Sequence, residues 1–328
     1  MSALAPVLEG FFTDRLTARQ ASPHTVIAYR DTYRLLLQFT QTRLRTPPSK
    51  LDLADLDATL IGAFLDHLET DRGNAVLTRN LRLAAIHALF HYAALRCPEH
   101  ANTIARVLAI PSKRPNRGTV TFLTRPESNA LLAAIDRASP LGRRDHLLLT
   151  VAIHTGLRVS ELTGLRRADL TLGAGAHVRC TGKGRKERAT PLTRPLAALL
   201  NSWLQDRNAA PNDPLFPNRI GGPLNTDSVT DLLDKHVVTA TPRCPSLGTR
   251  RITPHTLRHT CAMNLLQAGV DTSSIALWLG HSGTKAVQVY LHADLTLKEQ
   301  ALARTAPDAP AARRYRPPDR LLAFLEGL

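Results

Sequence analysis

The sequence predicts a mainly α-helical protein with a small β-sheet, divided into two domains. Its 328 residues exceed what a single core of ordinary size organises, since domains run to roughly 100–200 residues. Apolar residues recur at helical spacing through most of the chain. AHVRCTGKGRKERATPL at 176–192 breaks that period. It alternates polar and apolar residues around Gly-Lys-Gly, the pattern of a β-hairpin.

The first helix opens at Ser22-Pro23, a side-chain cap followed by a residue whose fixed φ suits the first helical position. Val26, Tyr29, Tyr33, Leu36 and Leu37 form its apolar stripe. A second stripe is Leu60, Ile61, Phe64, Leu65 and Leu68. A third, in 77–96, is Leu83, Ile86, Leu89, Phe90 and Ala93, with Arg79 and Arg82 expected to face outward. Residues 1–110 therefore read as an all-helical domain. Residues 111–120 follow as a linker, whose prolines and basic Lys113, Arg114 and Arg117 stand without an acid. That composition suits a strap along a polyanion.

Residues 121–300 mix elements. Helices are expected over 127–138, 142–156 (ended by Gly156), 194–207, and 225–238 with Asn225 or Thr226 as cap. Another runs through LRHTCAMNLLQAG to Gly269, and Asp271 caps TSSIALWLG, closed by Gly280. Residues 301–328 form a tail whose Leu321, Leu322, Phe324, Leu325 and Leu328 gather after Pro317-Pro318. A segment that short is marginal alone, so it is expected to dock on its own domain or on a neighbouring copy.

Lys and Arg number 42 against 27 Asp and Glu, a net charge of +15 with a pI near 10.5. That excess points to a polyanionic partner, and to nucleic acid first. The four cysteines are scattered without a C-x-x-C pair, which suggests neither a disulfide framework nor a zinc ribbon. No secretory leader and no apolar run near the ~18 residues of a membrane span is evident. A soluble, cytoplasmic, nucleoid-associated protein is expected, with no membrane partner.

Several chemistries are then set aside. HTLRH has the H-x-x-x-H spacing of two metal ligands on one helical face, but Thr256 stands where a zinc protease carries its Glu. GKGRK lacks the frame of a nucleotide-binding loop, and no Gly-x-Ser-x-Gly elbow is present. What remains is a set of phosphate-competent side chains in four short blocks. Arg158 follows Gly156, and Glu161 stands three positions on, able to pair with its guanidinium. Lys183 lies at the hairpin tip between two glycines. His255 and Arg258 share one face of a helix start, His281 follows Gly280, and Tyr290 lies nine positions further. Taken singly, each has a plain structural reading as cap, ion pair or core residue. His259, Thr155, Cys261 and Trp278 are read as structural.

The blocks TGLRVSELTGL, TGKGRKER, PHTLRHTCAMNLLQAGV and LGHSGTKAVQVYLHAD, in that order and spacing, resemble the tyrosine recombinase (phage integrase) family. The likeness covers about 118–295, and SPHTVIAYRDTYRLL resembles the opening of the family's core-binding domain. The resemblance implies a SAM-like helical core-binding domain followed by an α+β catalytic domain. It implies that Tyr290 attacks a DNA phosphodiester, leaving a 3′-phosphotyrosine and a free 5′-hydroxyl. Arg158 and Arg258 would bind the non-bridging oxygens, Lys183 would protonate the leaving 5′-oxygen, His255 would serve proton transfer at the tyrosine, and His281 would donate to the phosphate. Arg79, Arg82, Lys113, Arg114, Arg117, Arg185 and Lys186 are the expected DNA contacts. No metal, ATP or other cofactor is implied. The implied partner is double-stranded DNA, bound as a homotetramer on two sites, alone or with a related recombinase. A mobile-element integrase is the favoured role. The alternatives are Xer-type dimer resolution, a type IB topoisomerase, and a DNA-binding regulator that keeps the fold without catalysis.

Overall fold

The computed structural model describes residues 3–115, 120–182 and 187–280, with Gly283, Val287, Gln288 and Tyr290. Arg117, Lys183, Arg185, Lys186, His281 and the 301–328 tail lie outside the described residues. The chain divides into two compact units, Met1–Arg117 and Gly118–Leu328.

In the first unit, α1 (Leu4–Gly10) runs into a π-helical stretch, Phe11–Leu16. Then come α2 (Pro23–Leu44), α3 (Ala58–Thr70), α4 (Val76–Ala93) and α5 (Ala101–Leu108). Ser22 caps α2 by accepting from the Thr25 N–H, and Asp57 caps α3 by accepting from Leu60. These bonds satisfy donors that a helix start leaves open. The α3 and α4 stripes are buried as expected. Of the predicted α2 stripe only Tyr33 and Leu36 are fully buried, while Val26, Tyr29 and Leu37 are half-buried. The Tyr33 hydroxyl ties α2 to α4 by donating to the Ala85 carbonyl at 2.7 Å.

Arg79 corrects the expectation of an outward side chain. It is only 5% exposed, and Nη1 donates to the Pro111 carbonyl and to Asn80 Oδ1, each at 3.1 Å. The Asn80 amide clasps the backbone of Lys113, donating to its carbonyl at 2.7 Å and accepting from its N–H at 3.1 Å. Helical spacing in fact places Arg79 on the buried stripe, four residues before Leu83 and seven before Ile86. The chain leaving α5 returns across that face, and its backbone groups need partners. Lys113 pairs with Glu69, while Arg114 is exposed. Arg82 is half-buried, and desolvation lowers its pKa.

The second unit begins with α6 (Arg125–Ala133), held by a reciprocal Thr124–Glu127 cap. Next are α7 (Pro140–Thr155) and the short α8 (Val159–Gly164). An antiparallel sheet follows in the order β1-β2-β3: β1 (Leu170–Thr171), β2 (His177–Thr181) and β3 (Glu187–Pro191). The hairpin is the expected one, with Cys180 opposite Arg188 and Thr181 opposite Glu187. β1 was not expected, because two residues carry no alternation to read. The unit continues with α9 (Arg194–Asp206), α10 (Thr226–Ala240), α11 (Pro254–Gln267) and α12 (Thr272–Leu279). Asn225 and Asp271 cap α10 and α12. α7 is buried nearly all round, as its run LLLTVAI requires. One apolar cluster is organised around α7, and a second lies between α11 and α12 and includes Tyr290.

Candidate active site

The site is built where three chain turns meet. Gly156 ends α7 with φ +63°, and a Cβ there would stand 2.6 Å from Leu279 Cδ2 and 3.1 Å from the Cys261 sulfur. Only glycine suits that left-handed, crowded position. The turn sets Arg158 just ahead of α8, where its N–H and Nη1 donate to the two Glu161 carboxylate oxygens at 2.8 and 2.9 Å. Arg188 of β3 grips the same carboxylate with both terminal guanidinium nitrogens, at 3.0 and 2.7 Å.

Burial by itself would raise the Glu161 pKa, but hydrogen bonds from Arg188 and the Arg158 backbone, with their charge, bring it down to about 2. An ordinary Glu titrates near 4.5, so the folded state holds this proton more weakly than the unfolded chain does. The resulting stability is present above pH ~4.5 and lost as pH falls toward 2, an effect on the order of 3 kcal/mol. Glu161→Gln should therefore lower stability at pH 7 and flatten acid unfolding across that window, followed by circular dichroism. An unchanged acid limb would remove Glu161 as its source.

Thr253 and Thr256 cap α11 reciprocally, and Pro254 occupies its first position. Arg258, one turn in, is 2% exposed. Its Nη1 donates to the Gly156 carbonyl and its Nη2 to the Leu279 carbonyl, each at 2.6 Å. These carbonyls close α7 and α12, where aligned peptide dipoles leave partial negative charge. Burial and then the neighbouring Arg158 push its pKa down to about 10, so it stays cationic at neutral pH. Arg158 Nη2 reaches the Gly280 carbonyl at 3.4 Å, and the two guanidiniums thus share the end of α12.

His255 is the exposed side chain on the first turn of α11, where partial desolvation, Arg258 and Arg158 lower its pKa. Tyr290 is 3% exposed. Desolvation raises its phenol while Arg258 acts to lower it. Its hydroxyl lies 2.8 Å from His259 Nδ1. Cys261, also on α11, donates its thiol to the His154 carbonyl at 3.3 Å.

Two arginines at converging helix ends and a buried tyrosine form an anion cradle beside a nucleophile-type hydroxyl. The phage integrase family model matches residues 121–296, and the model of that family's N-terminal SAM-like domain matches residues 8–97. The chain belongs to the phage integrase family. It is a tyrosine-type site-specific recombinase, and its helical first unit is the SAM-like domain. The integrase/recombinase-like protein y4rC of Sinorhizobium fredii is 55% identical over 328 residues, covering 100% of this chain and 99% of y4rC. Tyrosine recombinase XerC of Pelobacter propionicus is 31% identical over 310 residues, 93% of this chain and 98% of XerC. Among solved structures, the XerH site-specific recombinase bound to difH substrate superposes with a TM-score of 0.65 at 26% identity. It covers 87% of this chain and 81% of XerH. The Tn1549 transposon integrase with circular intermediate DNA shares the fold, at 16% identity and a TM-score of 0.68, covering 92% of this chain and 99% of that one.

Of the side chains expected from the sequence, the recombinase brings Arg158, Glu161, His255, Arg258 and Tyr290 together. Arg79, Arg82, Lys113 and Arg114 belong to the SAM-like unit. One residue of the site, Arg188, went unread, and His259 was given only a structural reading. Arg188 shares its strand face with the buried Thr190, and an inward-facing cation on a strand calls for a buried acid. His259 was read as structural, yet it is the imidazole bonded to the Tyr290 hydroxyl. Its signal was its position one residue beyond Arg258. Among the described residues, no helix is long and apolar enough to cross a membrane, and no group of three His, Cys, Asp or Glu is placed to hold a metal.

Proposed function

We propose that this recombinase breaks and rejoins double-stranded DNA through Tyr290, with Arg158 and Arg258 holding the scissile phosphate. The observation that carries the reading is the sharing of the α12 end by both guanidiniums, in the unit whose core contains Tyr290. Guanidinium is planar, permanently charged and able to donate two parallel bonds to phosphate oxygens. The phenolic oxygen attacks phosphorus, the 5′-oxygen leaves, and a 3′-phosphotyrosine keeps the bond for rejoining. Lys183 supplies the proton of the leaving 5′-hydroxyl, and His281 donates to the phosphate. His255, neutral at pH 7, serves proton transfer near the tyrosine. Glu161 orients Arg158. No metal or nucleotide enters these steps.

Arg82, Lys113, Arg114, Arg117, Arg185 and Lys186 are the proposed phosphate contacts along the duplex. Arg79 is omitted because its guanidinium holds the Pro111 carbonyl. The working assembly is a homotetramer on two sites, with the 301–328 tail docking between neighbours. The likeness to y4rC and to a transposon integrase supports service to a mobile element. The XerC relative supports dimer resolution as a second reading.

The test is a suicide duplex carrying the DNA that flanks the gene and nicked near the cleavage site. A covalent adduct mapping to the Tyr290 peptide is expected. Failure of any such duplex to trap protein would overturn the reading. Lys183→Ala should slow cleavage of ordinary DNA by about 100-fold or more. It should be nearly silent on a 5′-bridging phosphorothiolate, whose sulfur leaves without a proton. Equal defects on both substrates would remove Lys183 as the acid.

A further inference from the structure

Among the described residues, His259 is the histidine in contact with the phenol. Its Nδ1 lies 2.8 Å from Tyr290 Oη, within the range over which a side chain abstracts a proton. The ring meets Tyr290 edge-on, with centroids 5.4 Å apart, and meets His255 likewise at 4.3 Å. It therefore stands between the exposed His255 and the buried tyrosine. Among the described residues, the groups facing this contact are His255, Arg258 and Cys261 on the same helix and Arg158 ahead of α8. α12 contributes no titratable side chain within Thr272–Leu279. A phenol with a pKa near ~10 is a weak nucleophile at neutral pH, and burial here raises it further. An acceptor in direct contact addresses that barrier.

We propose that His259 accepts the Tyr290 proton during strand cleavage and returns it during rejoining, acting as the base at the nucleophile while His255 backs its ring. The inference rests on Tyr290 being the nucleophile. In the forward step the Tyr290 O–H proton moves to His259 Nδ1 as the phosphorus–tyrosine bond forms and the phosphorus–5′-oxygen bond breaks. In the reverse step the 5′-hydroxyl attacks, and the departing phenolate recovers its proton from His259. The acceptor tautomer carries its hydrogen on Nε2. His255 is then the outer member of an imidazole pair, not the direct partner of the tyrosine.

His259→Asn is the discriminating variant, because its amide oxygen can keep the hydrogen bond to Tyr290 but cannot take up a proton. On suicide duplexes at pH 7 it should cleave about 100-fold more slowly than the unaltered protein, with DNA binding unchanged. Cleavage by the unaltered protein should level off once the base is neutral. The variant should keep climbing about tenfold per pH unit, because hydroxide must then remove the phenolic proton. A 5′-bridging phosphorothiolate should leave the defect in place, since the fault lies on the nucleophile's side. A wild-type rate and profile for His259→Asn, with Tyr290→Phe inactive, would overturn this proposal alone. So would loss of the plateau in His255→Asn but not in His259→Asn. An adduct formed by Tyr290→Phe would overturn the reading beneath it. Should His259→Asn fail to fold, ¹⁵N spectra of the imidazoles in unaltered protein and Tyr290→Phe decide. A displaced His259 Nδ1 resonance is expected, and an unmoved one would refute the contact.

Discussion

Tyr290→Phe is expected to bind its DNA with near-normal affinity and to form no covalent adduct. The ring sits in an apolar cluster with Cys261, Ala262, Met263 and Leu279, which phenylalanine fills equally well. The variant loses one hydrogen bond to His259, a stability loss of about 1 kcal/mol. Arg158 and Arg258 keep their carbonyl and carboxylate partners, so the phosphate grip is untouched. The paired measurement is a mobility shift for binding and a denaturing gel for the adduct. An adduct mapping to Tyr29, Tyr33, Tyr92 or Tyr315 would refute the assignment. Tyr33 is a poor rival: desolvation, with Tyr29 beside it, drives its phenol far above the usual range, and its proton is committed to the Ala85 carbonyl.

Arg258→Lys should cost at least about 10³-fold in single-turnover cleavage and lower the melting temperature. One planar guanidinium spans the Gly156 and Leu279 carbonyls. An ammonium is a point charge that cannot reproduce that fork while also facing a phosphate. At least one helix-terminal carbonyl would lose its donor in a buried place, at about 1–3 kcal/mol. Cleavage within tenfold of the unaltered protein would show that the fork is not required. A fall in melting temperature without a fall in cleavage would assign Arg258 to stability alone.

Much of this architecture was legible because it is local. The α3 stripe follows from spacing, and the caps at Ser22, Asn225 and Asp271 from side-chain chemistry. The left-handed ends at Gly156 and Gly280 have φ +63° and +66°. The hairpin follows from alternation. What escaped depends on partners distant in sequence. Arg79 stands at stripe spacing, four residues before Leu83, and its charge hid that; the Pro111 carbonyl that receives its guanidinium lies in no window around α4. Arg188 completes the Glu161 clamp across 27 positions, and His259 acquires its meaning from a tyrosine 31 positions away. The likeness in the four blocks identified most of the cradle but said nothing of what the neighbouring side chains do.

Cys261 bears on which atom reacts. A sulfur close to arginine ordinarily ionises early and, as thiolate, outcompetes a phenol for an electrophile. Here burial outweighs the pull of Arg258 and pushes the thiol up to about 12, and its S–H stays engaged with the His154 carbonyl. The sulfur remains protonated and chemically silent at neutral pH. The cationic charge that would activate a nucleophile is thereby kept for oxygen, and in the proposed reaction the link to DNA is a phosphate ester of tyrosine, with no S-phosphate competitor from this cysteine.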